Sequence, residues 1–148
     1  MNKIELTERS VYLFQQALLE AGMTYDFDHE NIEKSKFYRN YIPDSEIISD
    51  NPTWLVYAHS DQINHYADNK VCYSENYFES KVMSRNDYAD SNFQDLKSRI
   101  ENALEKNGFR VTWDHSDGID TGLAVDTPIY YTEMSANITL DSEGNVIN

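Results

Sequence analysis

The chain has 148 residues, of which 26 are acidic and 12 basic, and its formal net charge is −14. This length is sufficient for one self-supporting hydrophobic core, so we predict a single domain over residues 1–148. A charge of this sign disfavours contact with the phosphates of nucleic acid and argues against a conventional DNA-binding role. Three explanations remain: an acidic solvated surface, a surface past which DNA slides without sticking, or a surface that imitates DNA.

The N-terminal residues and the single cysteine bear on location. Met1 to Glu5 lack the apolar core of a signal peptide, and no apolar run approaches the roughly 20 residues that a membrane helix needs. We therefore expect a soluble protein that is made in the cytoplasm and has no membrane partner. Cys72 cannot form an intrachain disulfide, which indicates a reducing compartment. Its place in an alternating run predicts a small buried residue.

The first predicted element is a helix from Thr7 to Ala21. Thr7 is a suitable N-cap, and Val11, Phe14 and Leu18 recur at helical spacing on one face. A glycine directly after Ala21 is positioned to end the helix. The apolar face requires a sheet or another helix to cover it.

Residues 23–51 form a long aromatic and acidic segment without sustained periodicity. A loop of this length in a compact domain is usually functional, mobile or hiding a short element, and its aromatic content argues against simple disorder. One interpretation is a flap over one edge of the core, and the other is an arm that orders against a neighbouring subunit. The candidate subunit-interface residues in this segment are Tyr25, Phe27, Phe37, Tyr38 and Tyr41.

Residues 52–85 contain three strand-like runs with little connecting sequence. The first is the apolar run 54–57, and the second surrounds the turn-prone pair Asp68 and Asn69. In the third run, even-numbered residues such as Phe78 and Val82 alternate with odd-numbered residues such as Glu79. This alternation predicts an antiparallel meander with one face toward a core and the other toward water.

A second helix and the last strands follow. Ser91 can cap the helix with Gln94 three residues on, and an asparagine and Gly108 end it. A fourth strand is predicted over 109–113 and a fifth over 129–140. Val146 and the residue after it add a short final strand in this interpretation.

The order of elements is helix, three strands, helix, two or three strands. It predicts an α+β two-layer sandwich with a mainly antiparallel sheet of four to six strands and two principal helices. The helices should cover one face of the sheet, which leaves the other face to solvent or a partner subunit. The strand residues expected beneath the helices include Val56, Val82, Val111 and Met134.

The loop from Asp114 to Gly122 is the one place where a metal site could be argued, because it clusters oxygen ligands around glycines. The acidic spacing does not match a calcium loop, and no closing glutamate follows. The histidines are scattered, and no nucleophile elbow or phosphate-binding glycine loop is present. We therefore predict no catalytic residues, no metal, no cofactor and no enzymatic activity. Asp117 and Asp120 are instead candidate subunit-interface residues.

The segment from Pro52 to Ile138 resembles a known family. It has an aromatic strand after a proline, the core Tyr66-Ala67-Asp68-Asn69-Lys70-Val71, a third alternating strand and an amphipathic helix. In this order it is similar to the tail terminator or tail completion proteins of long-tailed, siphovirus-type bacteriophages. The long segment 23–51 looks like an enlargement relative to that family.

The resemblance implies a virion structural protein that works by binding. Members cap the finished tail tube as a ring, typically a hexamer, and present the surface that joins the tail to the head. The implied partners are further copies of the chain, the tail tube protein, the head connector or head completion protein, and DNA that passes without specific binding. The implied location is the head–tail junction of the virion.

The alternative is an acidic inhibitor or immunity protein that mimics DNA and occupies the basic cleft of a nucleic-acid-binding partner. The net charge of −14 supports this alternative equally well. The Tyr66 to Val71 core does not support it. An enzyme that uses the Asp-rich loop is a third possibility, which lacks a recognisable site.

Overall fold

The computed structural model describes residues 1–25, 35–42, 53–85, 91–114, 118–120 and 129–147, with residue 25 and residues 118–120 described by their backbone. These ranges contain two helices and seven strands. The helices are α1 (Lys3–Glu20) and α2 (Ser91–Lys106). The strands are β1 (Thr24–Tyr25), β2 (Lys36–Arg39), β3 (Thr53–Ala67), β4 (Lys70–Ser84), β5 (Arg110–Trp113), β6 (Gly118–Asp120) and β7 (Ile129–Asp141).

One mixed sheet contains all seven strands, in the order β1-β2-β3-β4-β7-β5, with β6 also paired to β7. The two pairs that involve β2 are parallel, and the other pairs are antiparallel. Five strands have four or more residues, and β1 and β6 are shorter. The predicted α+β class, with two helices and a mainly antiparallel sheet, is confirmed.

Residues 53–84 form a single long hairpin, so the predicted three-strand meander is wrong. β3 and β4 have 15 residues each and are joined by Asp68 and Asn69. Both turn residues have positive φ, 52° and 63°, as a type I′ turn requires. The first predicted run and the first half of the second belong to β3, because the polar residues between them keep pairing with β4. The second half of the second run and the third run together form β4.

Two bulges interrupt the hairpin and explain a wrong prediction. The pairing skips Ser60 on β3 and Cys72 on β4, so each is an extra residue without a cross-strand partner. A bulge reverses the alternation of side chains on its strand. Cys72 was predicted to be buried, but its side chain is exposed because it is the bulged residue.

Helix α1 begins four residues before the predicted start. Asn2 is the N-cap, its side chain accepts from the N–H of Glu5, and the Glu5 side chain accepts from the N–H of Asn2. The predicted cap, Thr7, lies inside the helix and donates its hydroxyl to the carbonyl of Lys3. The helix ends as predicted before Gly22, which has a φ of 91°.

Helix α2 and β7 lie where the sequence predicts them, and Gly108 follows α2 with a φ of 93°. The last residues do not add a strand, because Val146 makes one isolated bridge to Leu140. β6 was not predicted. It pairs through Gly118–Asp120 with the start of β7.

The main core lies between the two helices and one face of the sheet. Its buried members include the predicted positions of the first helix, the apolar face of α2 and residues of β4 and β7, namely Val11, Phe14, Leu18, Phe78, Val82, Phe93, Leu96, Ile100, Leu104 and Met134. Val111 is partly buried against this core, as predicted. Val56 is not part of it, because it alternates to the opposite face and packs with Trp54 and Met83 in a second, smaller cluster.

Candidate interaction surface on the sheet

The face of the sheet turned away from the helices is called the outer face below. Along β4, the side chains of Ser74, Asn76, Phe78, Ser80 and Val82 are buried toward the helices, so the residues between them point outward. Strand pairing then assigns the outward neighbours on β2, β3, β5 and β7. The paired residues of the outer face are Lys36, Tyr38, Trp54, Val56, Ala58, Asp61, Ile63, His65, Tyr73, Glu75, Tyr77, Glu79, Lys81, Met83, Arg110, Thr112, Tyr131, Glu133, Ser135, Asn137, Thr139 and Asp141.

The centre of the outer face is a shallow trough of about 360 Å³. Its lining includes Glu79, Lys81 and Glu133, with the aliphatic side chains of Val56 and Ala58 on β3. The register places Lys81 directly opposite Glu133 and also opposite Val56. The trough therefore combines a small apolar floor with two carboxylates and one ammonium group.

Two outer-face contacts fix the groups around the trough. The hydroxyl of Ser135 donates to Oε2 of Glu79 at 2.8 Å, which orients this exposed carboxylate. Nζ of Lys81 lies 4.6 Å from the centroid of the Tyr131 ring, a cation–π contact that draws the ammonium toward one end of the trough. On β7, Glu133 lies between Tyr131 and Ser135, and it is half-buried.

The distal part of the outer face is aromatic. His65 stacks on Tyr73 with ring centroids 4.1 Å apart, and its Nε2 lies 3.0 Å from Oε2 of Glu75. Ile63 and Tyr73 have 43% and 37% of their surface exposed. This end of the hairpin therefore presents apolar and aromatic area to its surroundings.

On the opposite face, a polar cluster joins the hairpin to the start of α1. Nε2 of Gln62 donates to the carbonyl of Lys3, to Oγ1 of Thr7 and to Oδ1 of Asn76. Asn76 is fully buried, and its Nδ2 donates to the hydroxyl of Ser74. A buried amide whose hydrogen bonds are satisfied has a structural role. This cluster also explains why the polar residues in the middle of β3 remain in the strand.

A tight turn ends β7. Oδ1 of Asp141 accepts from the N–H groups of Asn145 and Glu143, each at 2.9 Å. The hydrogen bond from Asn145 has the largest effect on the pKa of Asp141. Together these hydrogen bonds lower that pKa below its ordinary value of 3.8. The ionised carboxylate therefore stabilises this turn.

Of the predicted interface residues that the structure describes, Tyr25 pairs with Phe37 between β1 and β2, and Tyr38 follows Phe37 in β2. Phe37 is buried in the main core, and Tyr38 is buried in the second cluster on the opposite side of β2. Tyr41 is 72% exposed. Tyr25 lies in β1 and Asp120 in β6, whereas Phe27 and Asp117 lie outside the described residues. The subunit-interface assignment stays a prediction.

Within the described parts of the chain, no three His, Cys, Asp or Glu side chains are grouped so that they could hold a metal ion. His59 makes structural contacts, an edge-to-face contact with Phe78 and a hydrogen bond with Oδ1 of Asn76. Neither α1 nor α2 is long and apolar enough to cross a membrane.

The trough was not predicted from the sequence, although the sequence indicates the orientation of some of its residues. The alternation of β4 indicates that Glu79 and Lys81 point away from the core. The sequence does not reveal that Glu133 of β7 lies beside Lys81, because this pairing joins residues 52 positions apart. No protein-family model and no curated protein matches the chain.

Proposed function

We propose that this chain is a tail terminator, or tail completion, protein of a long-tailed bacteriophage. In this proposal it caps the finished tail tube as a ring, a hexamer, and provides the joining surface for the head connector or head completion protein. It is a component of the virion at the head–tail junction. It works by binding and has no enzymatic activity.

The order of elements over residues 53–106 carries the proposal. The resemblance rests on an aromatic strand, the core Tyr66 to Val71, an alternating strand and an amphipathic helix. In the fold these correspond to β3, the type I′ turn, β4 and α2, which follow one another along the chain. Because α2 packs its apolar face in the core that β4 also lines, the four parts form one folded unit. This arrangement supports the proposal because the family resemblance covers the same unit.

The net charge is compatible with a ring through which DNA passes. Carboxylates that line a lumen would repel phosphate and keep DNA from adhering to the wall. The shape of the chain also leaves the outer face uncovered by either helix, so that a ring of copies has surface available for other tail components.

Deletion of the gene from the parent phage tests the proposal. We expect tails of abnormal length, or tails without heads, in electron micrographs of lysates, and complementation with the intact gene should restore normal particles. Infectious particles with normal tails after deletion would contradict the proposal.

A DNA-mimicking inhibitor remains the second candidate, because the outer face carries several carboxylates in defined register. Along β4, Glu75 and Glu79 are four residues apart, which is about 13 Å in an extended strand. A mimic should bind a basic nucleic-acid-binding protein in competition with DNA. If deletion leaves tails normal and the purified chain displaces DNA from such a protein, this candidate is favoured.

A further inference from the structure

We propose that the side of β5 that faces away from β7, called the β5 edge below, pairs with the β5 edge of a second copy of the chain. The two strands run antiparallel, with Thr112 of one copy opposite Thr112 of the other, and the two sheets become one. The inference goes beyond the proposed function and does not depend on it, because an isologous two-fold contact cannot by itself close a ring of six copies.

The first observation is that β5 lies at one end of the described sheet. It pairs with β7 over Arg110–Trp113, and no other described strand pairs with it. Arg110 and Thr112 are exposed, whereas Val111 and Trp113 are partly buried against the main core. A strand in this position presents a row of backbone donors and acceptors that another strand can join.

The backbone of β5 determines which groups lie along the β5 edge. The N–H of Asp114 donates to the carbonyl of Glu133 on β7 at 2.9 Å. Backbone groups of alternate residues point to the same side of a strand, so the N–H and C=O of Thr112 also face β7. Those of Val111 and Trp113 face the β5 edge, and no backbone hydrogen bond to another described residue engages them there. Two donors and two acceptors can therefore pair with a second strand.

The side chains around Thr112 complement their own two-fold image. Arg110 stands two residues before the centre and Asp114 two residues after it. In an antiparallel pair about Thr112, each arginine therefore lies directly opposite the aspartate of the other copy, and each Val111 lies opposite a Trp113. Alternation places both ion pairs on the outer face and both apolar pairs on the helix side of the sheet.

Backbone hydrogen bonding supports the same register. Directly opposite residues of an antiparallel pair alternate between pairs that exchange two hydrogen bonds and pairs that exchange none. Val111 of each copy and Trp113 of the other form the bonded pairs, since their backbone groups face the β5 edge. The contact then has four backbone hydrogen bonds, and the central Thr112 keeps its own bonds to β7.

A register centred on Val111 fits less well. It places Arg110 opposite Thr112 and makes the two arginines diagonal neighbours of like charge. It also requires the N–H of Phe109, which already donates to the carbonyl of Leu104 at 3.0 Å. Charge and backbone therefore select the same register about Thr112.

The occupant is a second copy because the opposite charges stand at equal distances from Thr112, an arrangement that two-fold pairing uses at both ends. The net charge of −14 on each copy opposes the contact. Four hydrogen bonds and two ion pairs also make a smaller contact than the interface of a stable complex. We therefore expect a dimer dissociation constant on the order of 100 µM.

Sedimentation equilibrium of the full chain tests the proposal, from about 20 µM to about 1 mM in NaCl that gives a Debye length of about 8 Å. We expect a monomer–dimer equilibrium over this range. Arg110→Asp places like charges opposite each other and should raise the dissociation constant about tenfold or more. A chain that stays monomeric at about 1 mM would overturn the proposal and leave the β5 edge to a strand of another protein.

The matched control is Lys70→Asp at the exposed hairpin turn, which makes the same change in net charge. Its dissociation constant should change by less than about twofold, because Lys70 lies outside the contact. Equal weakening by Lys70→Asp and Arg110→Asp would show that association responds to net charge alone, and the contact would then be wrong. Circular dichroism verifies that the variants are folded.

Exchange of the two charges tests the register. The double variant R110D/D114R restores opposite charges across the axis and should recover dimerisation to within about threefold of the unmodified chain. Within one chain Arg110 and Asp114 are four residues apart, about 13 Å along a strand, so recovery reports a contact between chains. A folded double variant that dimerises no better than Arg110→Asp would overturn the register.

Amide hydrogen exchange locates the contact. The N–H groups of Val111 and Trp113 should exchange about fourfold more slowly at about 1 mM than at about 20 µM, which is the fall in the monomer fraction that the expected dissociation constant gives. Thr112, whose N–H faces β7, is the reference and should change less. Dimerisation without slower exchange at Val111 and Trp113 would place the contact elsewhere, and equal protection at both concentrations would show that the β5 edge is covered within one chain. Either result would overturn the proposal.

Discussion

Phe14 of α1 stacks on Phe78 of β4, with ring centroids 4.6 Å apart and ring planes 8° apart. The ring of Phe109, which precedes β5, meets Phe14 edge-on at 5.6 Å and 78°. Phe14 thus contacts the hairpin and the chain that leads into the edge strand. These contacts fix α1 on the inner face of the sheet, and thereby leave the outer face uncovered by the helices.

Replacing Phe14 with alanine should lower the free energy of unfolding by about 3 to 5 kcal/mol, because it removes a fully buried ring and leaves a cavity. Urea unfolding followed by circular dichroism measures this change. Ile4 on the same helix is 75% exposed, and Ile4→Ala should change stability by less than about 0.5 kcal/mol. Similar losses for the two variants would show that the core assignment is wrong.

The start of α1 leads to a second prediction. Asn2→Ala removes the N-cap and should destabilise the chain by about 1 kcal/mol in urea unfolding, since the N–H of Glu5 loses its acceptor. Asn2→Ser keeps a side-chain acceptor and should recover most of the loss. Equal stability of Asn2→Ala and the unmodified chain would contradict a helix that begins at Lys3.

The hairpin turn leads to a third prediction. Asn69 has a φ of 63°, and Asn69→Ala should lower the free energy of unfolding by about 1 to 2 kcal/mol because alanine is strained in this region. Asn69→Gly forms an Asp-Gly pair, which suits a type I′ turn, and should preserve stability or raise it by up to about 1 kcal/mol. If alanine is tolerated as well as glycine, the two-residue turn is wrong.

The pKa of Asp141 leads to a prediction on acid stability. Hydrogen bonds from the N–H groups of Asn145 and Glu143 hold this pKa below 3.8. The stabilisation by the ionised carboxylate is therefore complete above the unfolded-state pKa and is lost as the pH falls through the lower folded-state pKa. A carboxyl-detected NMR titration should place the pKa of Asp141 below 3.8, and a midpoint at or above that value would contradict the turn geometry.

Asp141→Asn is the matching variant. It should be less stable than the unmodified chain at pH 7, and the difference should shrink below the folded-state pKa, where the natural side chain is also neutral. Glu143 takes part in this turn only through its backbone N–H. The stability of the Glu143→Gln variant should therefore match that of the unmodified chain over the same pH range.

Local patterns predicted the helices and β7 well because each buries one face with regular spacing. The apolar residues of α2, such as Phe93 and Ile100, recur along one side, and the pattern determines which side is buried. The alternation along β4 also predicted correctly that Val82 is buried and that Glu79 is exposed. In these elements the local sequence and the tertiary fold require the same arrangement.

The errors occur where distant residues decide the outcome. The bulges at Ser60 and Cys72 depend on which β4 residue faces which β3 residue, and each bulge reverses the alternation from which burial was inferred. Gln62 was outside any apolar pattern, yet it lies in β3 because its amide binds Lys3 and Thr7 of α1. The trough has the same origin, since strand pairing brings Glu133 beside Lys81.

The last prediction concerns assembly. Isolated chains of charge −14 repel one another, so we expect mainly monomers at low salt and a larger oligomeric fraction as salt rises. Between 20 and 500 mM NaCl the Debye length falls from about 20 Å to about 4 Å, which removes most repulsion between surface charges. Sedimentation velocity should detect species up to six copies of the 17.2 kDa chain.

An isolated chain that stays monomeric at every salt concentration still has to form rings when purified tail tubes are added, because the tube end is the template in this proposal. Electron micrographs of tubes without an added ring, under conditions in which the chain is folded and in excess, would contradict ring assembly.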